Sequence, residues 1–276
     1  MEKSLQPIGM LDSGVGGLTV AREITNFLPE EEIVYYGDTL HLPYGPRLLE
    51  EVKGFVFKII DYLLLEKDAK SVVLACNTAT SAALSEVKEK YSVPVVGTIK
   101  SVTHRAYELS SRNRIGIIGT QGTVNSQAYQ KSLLKIDSEL NVFSAACPGF
   151  VELVEKGIFK GKKVKKIAHK YLDGLRESGI DVLILGCTHF PYLIPEIQDI
   201  MGSKVKLLSS GEAMAREIKK VFQEQGLLHP DNQKSRISQQ EFIVSDRNRI
   251  SRAFLEKGRE FLDLPALEFK EHNIFA

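Results

Sequence analysis

Eight short, nearly continuous apolar runs constrain this chain more than any other feature. They are PIGML (7–11), IVYY (33–36), VVLA (72–75), PVVG (94–97), IGIIG (115–119), VFSA (142–145), VLILG (182–186) and VKLL (205–208). A strand with one wet face alternates apolar and polar residues. Most of these runs do not, so they suit strands covered on both faces, as in a parallel sheet. Amphipathic segments lie between them, near 17–28, 48–66, 79–91, 124–135, 162–178 and 211–225. Strand and helix in alternation predict an α/β fold with crossover connections. From 226 onward the chain is more polar, although RNRISRAFLEKGREFL (247–262) still reads as an amphipathic helix.

The pattern also repeats. GMLDSGVGGLTV (9–20) and GIIGTQGTVNSQ (116–127) each pass from strand to hydroxyl and glycines to helix. Cys76 lies 63 residues after Ser13, and Cys187 lies 67 after Thr120, at strand ends reading LAC (74–76) and LGC (185–187). The expected architecture is therefore two similar α/β domains with parallel-type sheets flanked by helices, and a site in the cleft between them. Residues 1–97 plus 208–276 would form the first domain and 98–207 the second.

With 276 residues and 43% apolar content, the chain can build cores of that size. A net charge of +1 leaves no basic footprint for nucleic acid. The lysines of KGKKVKK (160–166) read as the solvated face of a helix start. No apolar run approaches the roughly 18 residues of a membrane span. The N-terminus also lacks the apolar core and small-residue cleavage site of a signal peptide. A cytoplasmic protein without membrane or nucleic-acid partners is expected, and there thiols stay reduced. Three widely spaced cysteines fit neither a disulfide framework nor a zinc ribbon, so no metal site is expected.

In open α/β sheets, ligands bind beyond the carboxyl ends of the strands. Cys76 and Cys187 both fall there, each followed by polar residues (Asn-Thr and Thr-His) that suit a dry core poorly. A helix starting after each cysteine would favour the thiolate and lower its pKa. Cys147, in AACPGF, has no polar followers and reads as a small core residue. Two thiols facing one ligand suit two-base racemisation, in which one removes a proton from a carbon and the other supplies one to the opposite face. A single nucleophilic cysteine with His189 as its base, in a hydrolase or decarboxylase, is the alternative. A non-catalytic amino-acid-binding protein is another. Nearby, Asp12 and Ser13 close the first strand and Asp38 follows the second, although an Asp there is often only a cap or turn residue. The glycines of GVGG (14–17) match neither the dinucleotide fingerprint nor the P-loop, but their amides can hold a carboxylate.

Six blocks in order, DSGVGGL, GDTLHLPYG, ACNTATS, VPVVG, IGIIGTQGTV and GCTHFPYL, closely resemble those of the glutamate racemases of the aspartate/glutamate racemase superfamily. The resemblance covers roughly residues 7–225. It implies a cofactor-independent enzyme that interconverts L- and D-glutamate, supplies D-glutamate for peptidoglycan, and commonly forms a homodimer. The family's two catalytic cysteines fall on Cys76, which would act on D-glutamate, and Cys187, which would act on L-glutamate. Asp12 and His189 match polar groups that assist them. Substrate contacts would fall on Asp12, Ser13, Tyr44, Gly45, Asn77, Thr78, Thr120, Thr188 and His189, with Asp38 and Glu155 as auxiliary acids. Two places depart from the family pattern. Ser209-Ser210 stand where Asp-Ser is common, and Glu152 stands where a less charged residue is expected, which reads as a surface or interface feature.

Overall fold

A computed structural model describes residues 2–231, 239–264 and 267–276. Its first elements are β1 (Ile8–Asp12), α1 (Leu18–Phe27), β2 (Ile33–Gly37), α2 (Leu49–Leu65), β3 (Ser71–Leu74), α3 (Asn77–Lys90), β4 (Val95–Gly97) and α4 (Thr98–Leu109). Then come β5 (Arg114–Gly119), α5 (Gln121–Ser126), α6 (Ala128–Ile136), β6 (Asn141–Ala146), α7 (Pro148–Glu155), α8 (Lys162–Glu177), β7 (Val182–Gly186), α9 (Ile194–Met201) and β8 (Lys206–Ser209). The last are α10 (Ser210–Gln225), β9 (Glu241–Val244), α11 (Arg252–Leu262) and β10 (Lys270–Glu271).

All eight expected strands form, each within one residue of its expected ends. They make two sheets, ordered β10-β9-β2-β1-β3-β4 and β6-β5-β7-β8, and neighbouring strands pair in parallel. Without β9 and β10 the first order, β2-β1-β3-β4, is the second one over again. The repeat read from the sequence is thus a repeat of topology. β1, β2, β3, β4 and β7 are buried along their whole length, as their unbroken apolar runs require. β6 and β8 are the edges of the smaller sheet and are partly exposed. No helix among the described residues is long and apolar enough to cross a membrane.

Several expectations are refined. The helix expected at 124–135 divides at Gln127, whose left-handed φ of +54° separates α5 from α6. The helix expected from 247 starts only at Arg252. Residues 247–249 form a 3-10 turn, and Ser251 Oγ caps α11 by accepting from Phe254 N at 3.2 Å. Leu208 and Ser209, expected in the first domain, pair with Ile184 and Leu185 in the smaller sheet. At the KGKKVKK segment Val164 is buried while Lys162, Lys163, Lys165 and Lys166 face solvent. Among the described α-helices and strands, α4, α7, α9, β9 and β10 were not anticipated.

One apolar core joins the halves, from Met10 and Ile24 through Phe222 to Leu185 and Phe254. At its rim sits a fully buried ion pair, with Lys70 Nζ 2.5 Å from Glu31 Oε2. Lys70 also donates to Ser4 O at 2.7 Å, and Glu31 Oε1 accepts from His229 N at 2.9 Å. The pair ties the N-terminus and β3 to the segment after α10. Removing one partner of such a pair strands the other charge, which costs about 3–5 kcal/mol. Lys70→Met should therefore lower the urea midpoint by an amount worth about 3–5 kcal/mol. Lys70→Met with Glu31→Leu should recover most of that loss. Equal losses in the single and double variants would show that the stranded charge is not the cause.

Candidate active site

A 2-1-3-4 strand order reverses its winding direction between the first and third strands, and the crevice at their carboxyl ends is where such sheets bind ligands. This chain has two such points. Asp12 and Ser13 lie at the end of β1 with Cys76 just beyond β3; Thr120 follows β5 and Cys187 follows β7. The two crevices face each other across one cavity of about 200 Å³. That is below the roughly 300–1,000 Å³ of drug-sized ligand sites, so it suits a small molecule.

Ser13, Tyr44, Gly45, Cys76, Asn77 and Thr78 line the cavity from the first half, together with Leu42, Pro43 and Pro46. Thr120, Cys187, Thr188 and His189 face them from the second. Asp12, Asp38 and Glu155 are not on the wall; each stands behind a residue that is. Cys147 is fully buried off the wall, with Sγ donating to Ala145 O at 3.6 Å, and Ser209 and Ser210 are likewise not on it. No group of three His, Cys, Asp or Glu among the described residues could hold a metal ion.

The two thiols sit in unlike surroundings. Cys76 caps α3, and its Sγ accepts from Ala79 N at 3.4 Å. The expected lowering of its pKa is nevertheless reversed. Burial, followed by the charge of Asp12, pushes the thiol up to about 12 and outweighs the helix amide. Cys187 has no α-helix directly after it. Residues 190–193 form a 3-10 turn and α9 begins only at Ile194. A side chain takes the place of the expected helix amides: His189 Nδ1 is 3.7 Å from Cys187 Sγ, and His189 Nε2 is 2.5 Å from Glu155 Oε1. Burial alone would lower the imidazole. The bonds to Cys187 and Glu155 and their negative charge outweigh it and hold His189 well above its ordinary value. His189 thus faces the Cys187 sulfur with Nδ1 and the Glu155 carboxylate with Nε2.

The GVGG amides do hold a carboxylate, but it is the protein's own. Asp12 Oδ2 accepts from Gly14 N at 3.2 Å and Gly17 N at 3.0 Å, and Oδ1 accepts from Thr188 Oγ1 at 3.3 Å. Burial raises the Asp12 pKa in spite of His189 and these donors. Thr19 Oγ1 adds a bond to Thr188 O at 3.1 Å. On the other side of the cavity, Gly122 N donates to Gly45 O at 2.9 Å, and the Thr78 and Thr120 hydroxyls are 2.9 Å apart. Asp38 accepts from Tyr44 OH at 2.7 Å and from Ser245 Oγ at 3.0 Å. The same Ser245 Oγ accepts from Leu40 N at 2.8 Å, so the segment after β9 fixes the loop that carries Tyr44.

Sequence reasoning missed Leu42, Pro43, Pro46, Gln121, Pro148, Val151 and Glu152 on the wall. The signal for the last three was present. Positions 148, 151, 152 and 155 share one helical face, and that face of α7 meets the cavity with Pro148, Val151 and Glu152 while Glu155 reaches His189. Glu152, expected as a surface or interface feature, lines the cavity with its side chain 72% exposed, as a residue at its mouth would.

Gly16 sets how closely the GVGG loop approaches His189. A Cβ there would lie 2.7 Å from both His189 Nδ1 and Thr188 Oγ1. Gly16→Ala should push the imidazole away from Cys187 and Glu155 while leaving it buried. Its pKa should then fall below the native value in an NMR titration of the folded protein. An unchanged titration would mean that the loop yields instead.

The residues matched by the Asp/Glu/Hydantoin racemase family model are 17–218. A glutamate racemase of Bacillus cereus is 45% identical over 228 residues, covering 83% of this chain and 84% of the relative. Among solved structures, glutamate racemase isoform RacE1 from Bacillus anthracis superposes with a TM-score of 0.89 at 37% identity, covering 97% of each chain. The glutamate racemase of Francisella tularensis, solved in complex with D-glutamate, has a TM-score of 0.87 at 29% identity, covering 99% of each chain. The chain belongs to the Asp/Glu/Hydantoin racemase family, and within it to the glutamate racemases.

Proposed function

We propose that this chain interconverts L- and D-glutamate by proton exchange between two thiols, without a cofactor, and so supplies D-glutamate for peptidoglycan. One observation carries the reading: Cys76 and Cys187, at equivalent strand ends of the repeated topology, line the same small cavity from opposite halves. A carbon with two faces needs a proton-transfer group on each. A single-thiol hydrolase has no use for the second.

The unlike surroundings assign starting roles. Cys187, beside the His189 imidazole whose pKa is held well above its ordinary value, serves as the base toward L-glutamate. Cys76, pushed up to about 12, starts as the protonated acid. With L-glutamate bound, Cys187 Sγ takes the α-proton and the bonding pair stays on Cα, delocalised into the carboxylate. Cys76 then gives its proton to the opposite face. The product is D-glutamate, with Cys187 as thiol and Cys76 as thiolate; D-glutamate runs the same steps backwards. The wall offers hydroxyls and amides to carboxylates, from Ser13, Asn77, Thr78, Thr120 and Thr188, and no Lys or Arg lines it among the described residues. The hydroxyls of Ser13, Thr78, Thr120 and Thr188 would also stabilise the charge that develops as the α-proton leaves.

The test is L-glutamate in deuterium oxide, with reduced protein and no added cofactor, followed by circular dichroism and α-deuteration together. Optical signal should be lost as deuterium enters the α-position, and Cys76→Ala and Cys187→Ala should each abolish both while remaining folded. Substantial racemisation by either variant would sink the two-thiol account. Faster turnover of aspartate in the same assay would move the substrate.

Glu155→Gln supplies a second test. If the imidazolium is the active form, activity is present below the raised His189 pKa and lost as pH rises through it. Removing the Glu155 charge lowers that pKa, so the alkaline limb of kcat/KM should move to lower pH. A limb that stays in place would show that the imidazolium is not required.

A further inference from the structure

Asn77 opens α3, one residue after Cys76, and lines the cavity although the residue is only 2% exposed. The two ends of its amide are treated differently. Oδ1 accepts a short hydrogen bond from Tyr129 OH. Nδ2 is buried and has no hydrogen-bond partner. A buried amide nitrogen with free donors is rare unless a ligand completes it.

Tyr129 belongs to the other half of the molecule, on α6, and is 2% exposed. Its ring is held against Gly186, where a Cβ would come within 3.2 Å of Tyr129 Cε2. Burial raises the phenol pKa, so the group keeps its proton and remains a donor across the working pH range. A phenol that donates to the amide fixes Oδ1 on its own side and turns Nδ2 away from it. Were the amide reversed, an acceptor oxygen would take the place of Nδ2 and repel a carboxylate.

We infer that Tyr129 is a positioning residue. It holds the Asn77 amide so that Nδ2 is presented to a carboxylate of the bound amino acid. The inference rests on the function proposed above and deepens it. The donor stands beside the first thiol, yet its direction is set from the half that carries the second. It is correctly aimed only when the halves are together.

The test is Tyr129→Phe, which keeps the ring and its packing and removes only the hydroxyl. KM for glutamate should rise about tenfold, with kcat changed far less and the melting temperature nearly retained. In an Asn77→Ala background the same change should add nothing to KM. Should Tyr129→Phe fail to fold, Asn77→Asp serves. It keeps the acceptor for Tyr129 and replaces Nδ2 by an oxygen, so it should raise KM well above the Asn77→Ala value. An unchanged KM in Tyr129→Phe, an equal rise in both backgrounds, or an Asp variant no worse than Ala would each overturn the inference. Glutamate binding is followed by NMR titration of the same proteins. Wild-type protein that binds glutamate without α-deuteration would sink the proposed function and leave this inference to the binding affinities, where the same pattern is expected. Wild-type protein that racemises glutamate while Tyr129→Phe matches it in KM and affinity would sink this inference alone. Wild-type protein that does neither would overturn both.

Discussion

Asp12 is the joint on which the site depends. Its carboxylate gathers two amides of the GVGG loop with one oxygen and the Thr188 hydroxyl of the other half with the second. Those bonds fix the loop after β1 against the loop after β7, and the two cysteine-bearing strand ends with them. The glycines are required for closeness: any Cβ at Gly16 or Gly17 would collide with His189, Thr188 or Asp12 itself. Because the carboxylate is buried between the sheets, its charge also acts on Cys76 and His189. One side chain thus contributes both to the geometry of the cleft and to its electrostatics.

The repeat in topology does not extend to the chemistry at its ends. Both thiols follow the third strand of a four-strand unit, yet one caps a helix near a carboxylate and the other contacts an imidazole backed by Glu155. Equivalent backbone positions therefore receive opposite electrostatic neighbours. Burial contributes at both ends, since it magnifies every charge placed nearby.

The strands were legible because strands buried on both faces need continuous apolar runs, and few other structures do. What stayed hidden is equally physical. β9 is a four-residue strand, EFIV, isolated in a polar tail, and pairing with β2 on one side and β10 on the other gives it a sheet. α4, TIKSVTHRAYEL, carries β-branched residues that favour helix weakly, and packing against α6 and α10 decides it. At the site, the wall residues at the strand ends were legible from motif blocks, and those on the 42–46 loop and the α7 face were not, apart from Tyr44 and Gly45. The expected helix effect on the thiols was misleading, because a sequence does not show how deeply Cys76 is buried or that Asp12 lies near it. Cys187 misled for another reason: a 3-10 turn containing Pro191 stands where the α-helix was expected, and a side chain took over its role.

The bond from Ser245 to Asp38 has a consequence for the architecture of the gene. Asp38 supports Tyr44, and Ser245 follows a strand that joins the first sheet some two hundred residues after β2. A reading frame shortened after α10 would retain both cysteines and every residue on the cavity wall. It would still lose the hydroxyl that steadies the carboxylate behind that wall. The last part of the chain therefore helps to hold the cavity wall in place, although it contributes no atom to the cleft surface.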